Sequence, residues 1–481
     1  MASIAQGKIV GVAERGVARY LGLPYAAPPF GRNRFLPPQP VRPWDGVRDA
    51  REFGPTVPMA PYRPPLDVIL GETIVPGEEC LNLNVWAPVE AQAAPVMVWI
   101  HGGAFRNGSG RREVYDGATF ARDGVVCVTL NYRLGVEGFA HLPGAVDNRG
   151  LLDQIAALQW VRDNIAAFGG DPGNVTVFGE SAGGMSVTTL LSLDLGLFHR
   201  AIAQSGAGHI AQAPEDALKV TTEIARRLGV TPDAAGLAAI DPWDVIPAQS
   251  AVATEIAGIP DPARWGPTTV ANAMPFMPVL DGTLFTRRPI DAIAAGAGRD
   301  VAVLTGTTTE EFRLFLAPTG LTKLLTVDLA AGFMAAMGID PAVAEVYRQG
   351  EPGDILCEVL TDFFFRVPAI RLAEARPAHT WMYEFAWASD QHGLGACHAL
   401  ELPFVFDSLV SGGGTELVGH HPPQDLANAM HHAWVAFATT GDPGWAPYDT
   451  DTRKVMVFDA PGTLVVQDPR SRERRRWDGL R

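Results

Sequence analysis

Val175-Thr176-Val177-Phe178-Gly179-Glu180-Ser181-Ala182-Gly183-Gly184 is the stretch that decides the fold. A short apolar run leads into Gly-x-Ser-x-Gly and then into a helical pattern. A run this short and apolar suits a strand buried on both faces. A serine at the sharp turn between such a strand and a helix is held in a strained conformation at the sheet's edge. Gly179 and Gly183 lack a Cβ, so neighbouring backbone can approach the crowded turn. The helix N-terminus brings N–H groups and the positive end of its dipole to the same place. Together these features make Ser181 the candidate nucleophile, with an ordinary structural turn as the weaker reading.

Outward from this stretch, apolar runs alternate with helical patterns. Val96-Met97-Val98-Trp99-Ile100, Val125 to Asn131, Ala201 to Ala203, Val301 to Leu304 and Trp381 to Phe385 all read as buried strands. Leu151, Leu152, Ile155, Leu158, Val161 and Ile165 recur at three- and four-residue spacing, the mark of an amphipathic helix. A second helical stretch follows Pro214. This alternation predicts an α/β protein with a mostly parallel central sheet and helices on both faces. The first 60 residues, rich in Pro and Gly, predict small antiparallel strands and turns. Residues 207–300 read as looser and cap-like, set over the sheet end where such folds bind ligands. No linker or repeat divides the chain, which predicts one catalytic domain over 1–481.

Composition narrows the function classes. Of 481 residues, 47% are hydrophobic and 19% charged, the balance of a globular chain. The formal charge of −15 excludes a nucleic-acid partner, because phosphate binding needs a basic face. No apolar run reaches spanning length, and the N-terminus has no run of signal-peptide type, so no membrane partner is expected. Cys80, Cys127, Cys357 and Cys397 lack metal-ligand spacing, and the paired histidines His420, His421, His431 and His432 have no regular acidic partners. Neither metal nor cofactor is expected. Reduced thiols fit a cytoplasmic location.

Two further segments carry chemistry. His101-Gly102-Gly103-Ala104-Phe105 follows the Val96 to Ile100 strand, and acyl transfer needs preorganised N–H donors for the charge that builds on the carbonyl oxygen. In such a fold one donor is the residue after the nucleophile, here Ala182. The serine also needs a base, and the base an orienting carboxylate, in the chain order Ser, Asp/Glu, His. Glu310 and Glu311 follow the Val301 strand, and several of the eleven histidines follow them.

Phe168-Gly169-Gly170 with the Ser181 stretch, and Glu79-Cys80-Leu81-Asn82-Leu83-Asn84-Val85, resemble the two signatures of the type B carboxylesterases. Leu23 to Pro40, Asn148 to Asp171, Trp434 to Phe437 and Gly441-Asp442-Pro443 extend the similarity over nearly the whole chain, and the bacterial para-nitrobenzyl esterase branch looks nearest. The resemblance implies the α/β-hydrolase fold and a small-molecule ester as substrate. It implies Gly103 and Ala104 as further oxyanion donors, and Glu311, five residues after Gly306, as the acid in preference to Glu310. Phe312 stands where glycine is common. Gly395-Ala396-Cys397-His398 resembles the histidine segment, making His398 the base, with Glu401 anchoring its loop and His101 structural. Ser205 resembles a serine that braces the acid. Glu180 lies beside the nucleophile, where its charge would favour cationic alcohol groups. The Gly-Gly-Ala loop implies acceptance of tertiary-alcohol esters. Phe363, Phe364 and Phe365 are expected in the core, with a place on the alcohol side of the substrate pocket as the alternative. The rival reading is a catalytically silent, adhesion-type member of the same fold, but such members generally lose triad residues.

Overall fold

The computed structural model describes residues 1–347, 350–376, 379–410 and 414–480. Fourteen strands occur in it: β1 (Ala2–Ile4), β2 (Gly7–Val10), β3 (Val12–Glu14), β4 (Val17–Pro24), β5 (Val47–Asp49), β6 (Asn82–Pro88), β7 (Ala94–Ile100), β8 (Val126–Leu130), β9 (Gly170–Glu180), β10 (Arg200–Gln204), β11 (Ala302–Thr308), β12 (Thr380–Phe385), β13 (Lys454–Phe458) and β14 (Leu464–Gln467). β1, β2 and β5 form a small N-terminal sheet. The other eleven strands form one sheet in the order β14-β13-β12-β11-β10-β9-β7-β8-β6-β4-β3. From β8 through β7, β9, β10, β11 and β12 to β13 every neighbouring pair is parallel, and antiparallel pairs close both edges.

The strand side chains feed two cores, one on each face. Along β7, Val96, Val98 and Ile100 pack into one cluster, while Met97 and Trp99 pack into the other. β9 divides in the same way, Val175 and Val177 against Phe178. That alternation with no polar face is what a sheet covered on both sides demands. The first face is covered by the helices Arg149–Asn164 and Ala182–Leu191, through Leu151, Leu158, Val161, Val187 and Leu190. The second is covered by the helix Gln424–Thr440, through Met430, Trp434 and Phe437.

The helical stretch expected after Pro214 is present as Pro214–Leu228, but the rest of residues 207–300 corrects the sequence reading, for it too is largely helical rather than loose. Pro214, Pro242, Pro262, Pro267 and Pro289 each stand at the start of a helix. Proline's fixed φ suits the first turn, where its missing N–H would have had no partner. Asn148 ties this region to the helix Arg149–Asn164: its Nδ2 donates to the Val279 carbonyl at 2.8 Å, and its Oδ1 accepts from the Val279 N–H at 2.7 Å.

Candidate active site

Parallel strands bring their carboxyl ends to one edge, and there the singled-out residues meet. Ile100 pairs with Gly179, and Gln204 stands beside both Glu180 and Gly306. Ser181 follows β9 at φ 56°, ψ −124° and directly precedes the helix Ala182–Leu191. This left-handed backbone costs a β-substituted residue about 1–3 kcal/mol. It is held by the Ser181 N–H donating to the Gln204 carbonyl at 2.9 Å and the Met185 N–H donating to the Ser181 carbonyl at 2.8 Å. The flanking glycine is obligatory, since a Cβ on Gly183 would lie 2.0 Å from the Ile100 carbonyl oxygen.

After Ile100 the chain turns through Gly103 (φ 108°), Ala104 (φ 52°) and Phe105 (φ 57°). A Cβ at Gly103 would come within 2.2 Å of the Asn107 carbonyl oxygen. The Gly103 carbonyl accepts from Arg106 and Asn107, at 3.1 and 2.9 Å, which closes the turn. Among the described residues, the N–H groups of Gly103 and Ala104 donate to no protein acceptor. Ala182, at the first position of its helix, likewise has no intrahelical acceptor. The ring of Phe105 points into the core, 4.8 Å from that of Phe139. His101 is buried and stacks on Tyr132 at 4.5 Å. Its Nδ1 donates to the Gly102 carbonyl at 2.8 Å, and burial lowers its pKa to about 4, so the ring is neutral and structural.

The two acidic neighbours separate by side-chain direction. Glu311 is fully buried; its Oε1 accepts from the Thr308 N–H at 2.9 Å and its Oε2 lies 2.5 Å from Nδ1 of His398. Glu310 turns outward, where its Oε2 accepts from the Ala396 N–H at 2.9 Å and latches the histidine loop. Ser205 does not brace the acid: its buried Oγ has no hydrogen-bond partner among the described residues, and Thr308 does that work. Phe312, in the place of the usual glycine, stacks on Phe364 at 5.4 Å.

His398 meets a second carboxylate that sequence reasoning placed only beside the nucleophile. Its Nε2 lies 2.9 Å from Glu180 Oε1, off the line of a well-formed hydrogen bond. Among the described residues no hydrogen bond joins His398 to the Ser181 hydroxyl. Burial alone would depress the imidazole's pKa, but Glu180 and Glu311 outweigh it and raise it well above the ordinary histidine value. A third buried carboxylate, Glu401, accepts from Gln204 Nε2 at 3.1 Å, and Gln204 Oε1 in turn accepts from Trp434 Nε1 at 3.0 Å. Burial and the charges of Glu180 and Glu311 push the Glu401 carboxyl up to about 8. Phe363, Phe364 and Phe365 are buried as expected, yet Phe365 also stands against His398. The signal for that lies in a π-helical turn over Asp362–Arg366, which strand and helix periodicity does not reveal.

The four cysteines are buried and free. Among the described residues no group of His, Cys, Asp or Glu could hold a metal ion, and no helix is long and apolar enough to cross a membrane.

A mostly parallel sheet of this strand order, with its serine-bearing turn at the carboxyl edge, is the α/β-hydrolase fold. Residues 1–477 match the Carboxylesterase family. The chain belongs to that family and is a carboxylic-ester hydrolase. It is 38% identical to the para-nitrobenzyl esterase of Bacillus subtilis (strain 168), over 98% of this chain and 96% of that one. It is 33% identical to the phenmedipham hydrolase of Pseudarthrobacter oxydans, over 97% of each chain. The structure of a Geobacillus stearothermophilus carboxylesterase at pH 6.2 superposes with a TM-score of 0.85 at 37% identity, covering 99% of both chains. A PNB esterase superposes at 0.84 with 35% identity, covering 99% of this chain and 98% of that one.

Proposed function

We propose that Ser181 cleaves carboxylic esters through an acyl-enzyme, with His398 as base and acid and Glu311 as its orienting carboxylate. The observation that carries this reading is the buried contact of 2.5 Å between Glu311 Oε2 and His398 Nδ1, made at the sheet edge where Ser181 stands in its strained turn. Nδ1 then carries the proton that points to Glu311, which leaves Nε2 as the basic nitrogen. Ser181 Oγ attacks the ester carbonyl as Nε2 takes its proton. The oxyanion accepts hydrogen bonds from the N–H groups of Gly103, Ala104 and Ala182, which are free in this state and need no reorganisation. Collapse breaks the carbon–oxygen bond, and Nε2 returns the proton to the departing alcohol. Water, deprotonated by the same nitrogen, then frees the acid. A serine–histidine hydrogen bond commonly tightens only once substrate is bound.

Residues 1–481 act as one catalytic domain in this reading, and the cycle needs neither metal nor cofactor. The substrates are small neutral esters, including aryl or benzyl esters of the kind named for the para-nitrobenzyl relative. The buried free thiols support a reducing compartment, the cytoplasm. Treatment with a fluorophosphonate followed by peptide mass analysis tests the reading. One adduct on Ser181 with parallel loss of p-nitrophenyl ester hydrolysis is expected. Hydrolysis that survives labelling overturns the reading by placing the nucleophile elsewhere; an unlabelled Ser181 in a protein without p-nitrophenyl ester hydrolysis overturns it in favour of the silent, binding-type alternative.

A further inference from the structure

The environment of His398 holds one carboxylate more than the proposed reaction uses. We propose that Glu180 competes with Ser181 for Nε2 of His398, holding the free enzyme as an imidazolium between two carboxylates, and that the enzyme becomes active when this pair loses its proton. The inference rests on the triad reading above and adds the state from which the triad must be released.

The first argument is the inventory of donors. Carboxylate oxygens stand 2.5 Å from Nδ1 and 2.9 Å from Nε2, and an ionised carboxylate only accepts. A neutral imidazole has one N–H, so one nitrogen would turn a lone pair toward an anion. The imidazolium has two N–H groups and suits both neighbours. The other groups that face the ring do not change this balance. Phe315 and Phe365 contribute rings at 5.3 and 4.8 Å. The charged groups acting most strongly on it, Glu180 and Glu311, are both acidic. Behind them stand the Tyr383 hydroxyl, the Glu401 carboxyl and the Cys397 thiol, whose pKa values burial raises.

The second argument is that Glu180 is fixed in this place. It is 3% exposed and is the last residue of β9, so the strained turn that presents Ser181 also sets its direction. Its Oε2 fills the room left by the absent side chain of Gly102, where a Cβ would come within 2.9 Å of that oxygen and 3.0 Å of Ser181 Cβ. The third is the quality of the contact. Oε1 lies off the line of the ring N–H, so the attraction is mainly Coulombic. It weakens when the proton leaves for solvent, and the exposed lone pair of Nε2 can then accept from the Ser181 hydroxyl. Glu180 is thus a positioning residue acting through His398.

The test is the pH profile of kcat/KM for p-nitrophenyl acetate in the wild type, Glu180→Gln and Glu180→Asp. Removing an opposite charge at this range should move the acid limb about 1–3 units toward lower pH in Glu180→Gln, while Glu180→Asp, which keeps the charge, should move it less. An acid limb in Glu180→Gln that coincides with the wild type overturns the proposal. Should that variant not fold, 15N-histidine spectra of the wild type and Ser181→Ala decide. His398 protonated at both nitrogens below the limb, with a midpoint unmoved by Ser181→Ala, supports the pair. A singly protonated ring there, or a midpoint displaced by Ser181→Ala, refutes it. Fluorophosphonate labelling of Ser181 in the same samples keeps the two readings apart: labelling with an unmoved limb sinks only the role of Glu180, whereas no labelling sinks the triad.

Discussion

The ring of Phe365 lies 4.8 Å from that of His398, tilted by 39°. It is carried there by the π-helical turn Asp362–Arg366, whose first and last side chains form a buried ion pair with contacts of 2.6 Å. Tyr347 donates to Asp362 at 2.8 Å and accepts from Trp477 Nε1 at 2.6 Å, so a strut from the C-terminal segment pins the turn. In the proposed mechanism His398 protonates the departing alcohol, so an aromatic wall beside its ring would border the alcohol side. Phe365→Leu keeps an apolar side chain there and loses the aromatic face. An aromatic pair is worth about 0.5–1.5 kcal/mol beyond its burial, so the benzyl over ethyl preference in kcat/KM should fall by about 2- to 12-fold. An unchanged ratio would remove Phe365 from the alcohol wall.

The ion pair itself is a stability element. Arg366→Met leaves the fully buried Asp362 without its principal partner and should cost about 3–5 kcal/mol, read from urea unfolding. Trp477→Phe removes one hydrogen bond to Tyr347 and should cost about 1 kcal/mol. A loss below 1 kcal/mol for Arg366→Met would mean that Arg470, 4.0 Å from Asp362, takes over the charge.

Glu311 and Glu310 are neighbours with opposite directions, and their glutamine variants should differ accordingly. Glu311→Gln breaks the contact that fixes the His398 tautomer and should lower kcat by about 10³–10⁴-fold. Glu310→Gln disturbs the latch on Ala396 and a 3.8 Å contact with Arg313, and should cost less than about tenfold. Ser181→Ala and His398→Ala should each remove activity by several orders of magnitude, with circular dichroism unchanged. Similar losses for the two glutamates would reject Glu311 as the orienting acid.

The raised pKa of His398 has a definite sign for catalysis. As the proposed base the ring would act only when neutral, so kcat/KM should rise with pH through a value above the ordinary histidine pKa of about 6.5. Glu401 bears on stability instead. Its carboxyl, pushed up to about 8, stays protonated in the folded state where an unfolded glutamate has already ionised. The unfolded state therefore binds fewer protons, and stability falls as pH rises from about 4.5 toward 8. Glu401→Gln should flatten that decline in Tm. A variant that loses stability with pH as steeply as the wild type would show that Glu401 is not its source.

Gly102, Gly103 and Ala104 carry no bulky side chain beside the proposed oxyanion donors, and the ring of the next residue, Phe105, is turned into the core against Phe139. Side-chain bulk is thereby kept from the place where a tertiary alcohol sets three carbons around the scissile oxygen. Slow hydrolysis of tert-butyl acetate is expected, with n-butyl acetate as the faster control. If the control is cleaved and the tertiary ester stays at the Ser181→Ala background, the recess is too small.

Much of this protein was determined by sequence alone, because the relevant signals are local. Short apolar runs such as Val96 to Ile100, bounded by turn residues, suit strands buried on two faces. Gly179 and Gly183 admit the tight turn at Ser181, and the resemblance of the Gly-Gly-Ala loop implies Gly103 and Ala104 as donors. Beyond the helical stretch after Pro214, residues 207–300 read as loose because Pro242, Pro262, Pro267 and Pro289 look like breakers, yet the same φ that breaks a helix interior also begins a helix. Other matters were decided only by the tertiary structure. Which of Glu310 and Glu311 turns inward depends on what lies opposite each, Ala396 or His398. That Phe365 reaches His398 depends on a π-turn held by Trp477, far along the chain. Glu180 and His398 meet only because parallel strands gather their carboxyl ends at one edge. Local periodicity fixes which residues are buried; the direction of a buried side chain, and the charge it meets there, is fixed by partners remote in sequence.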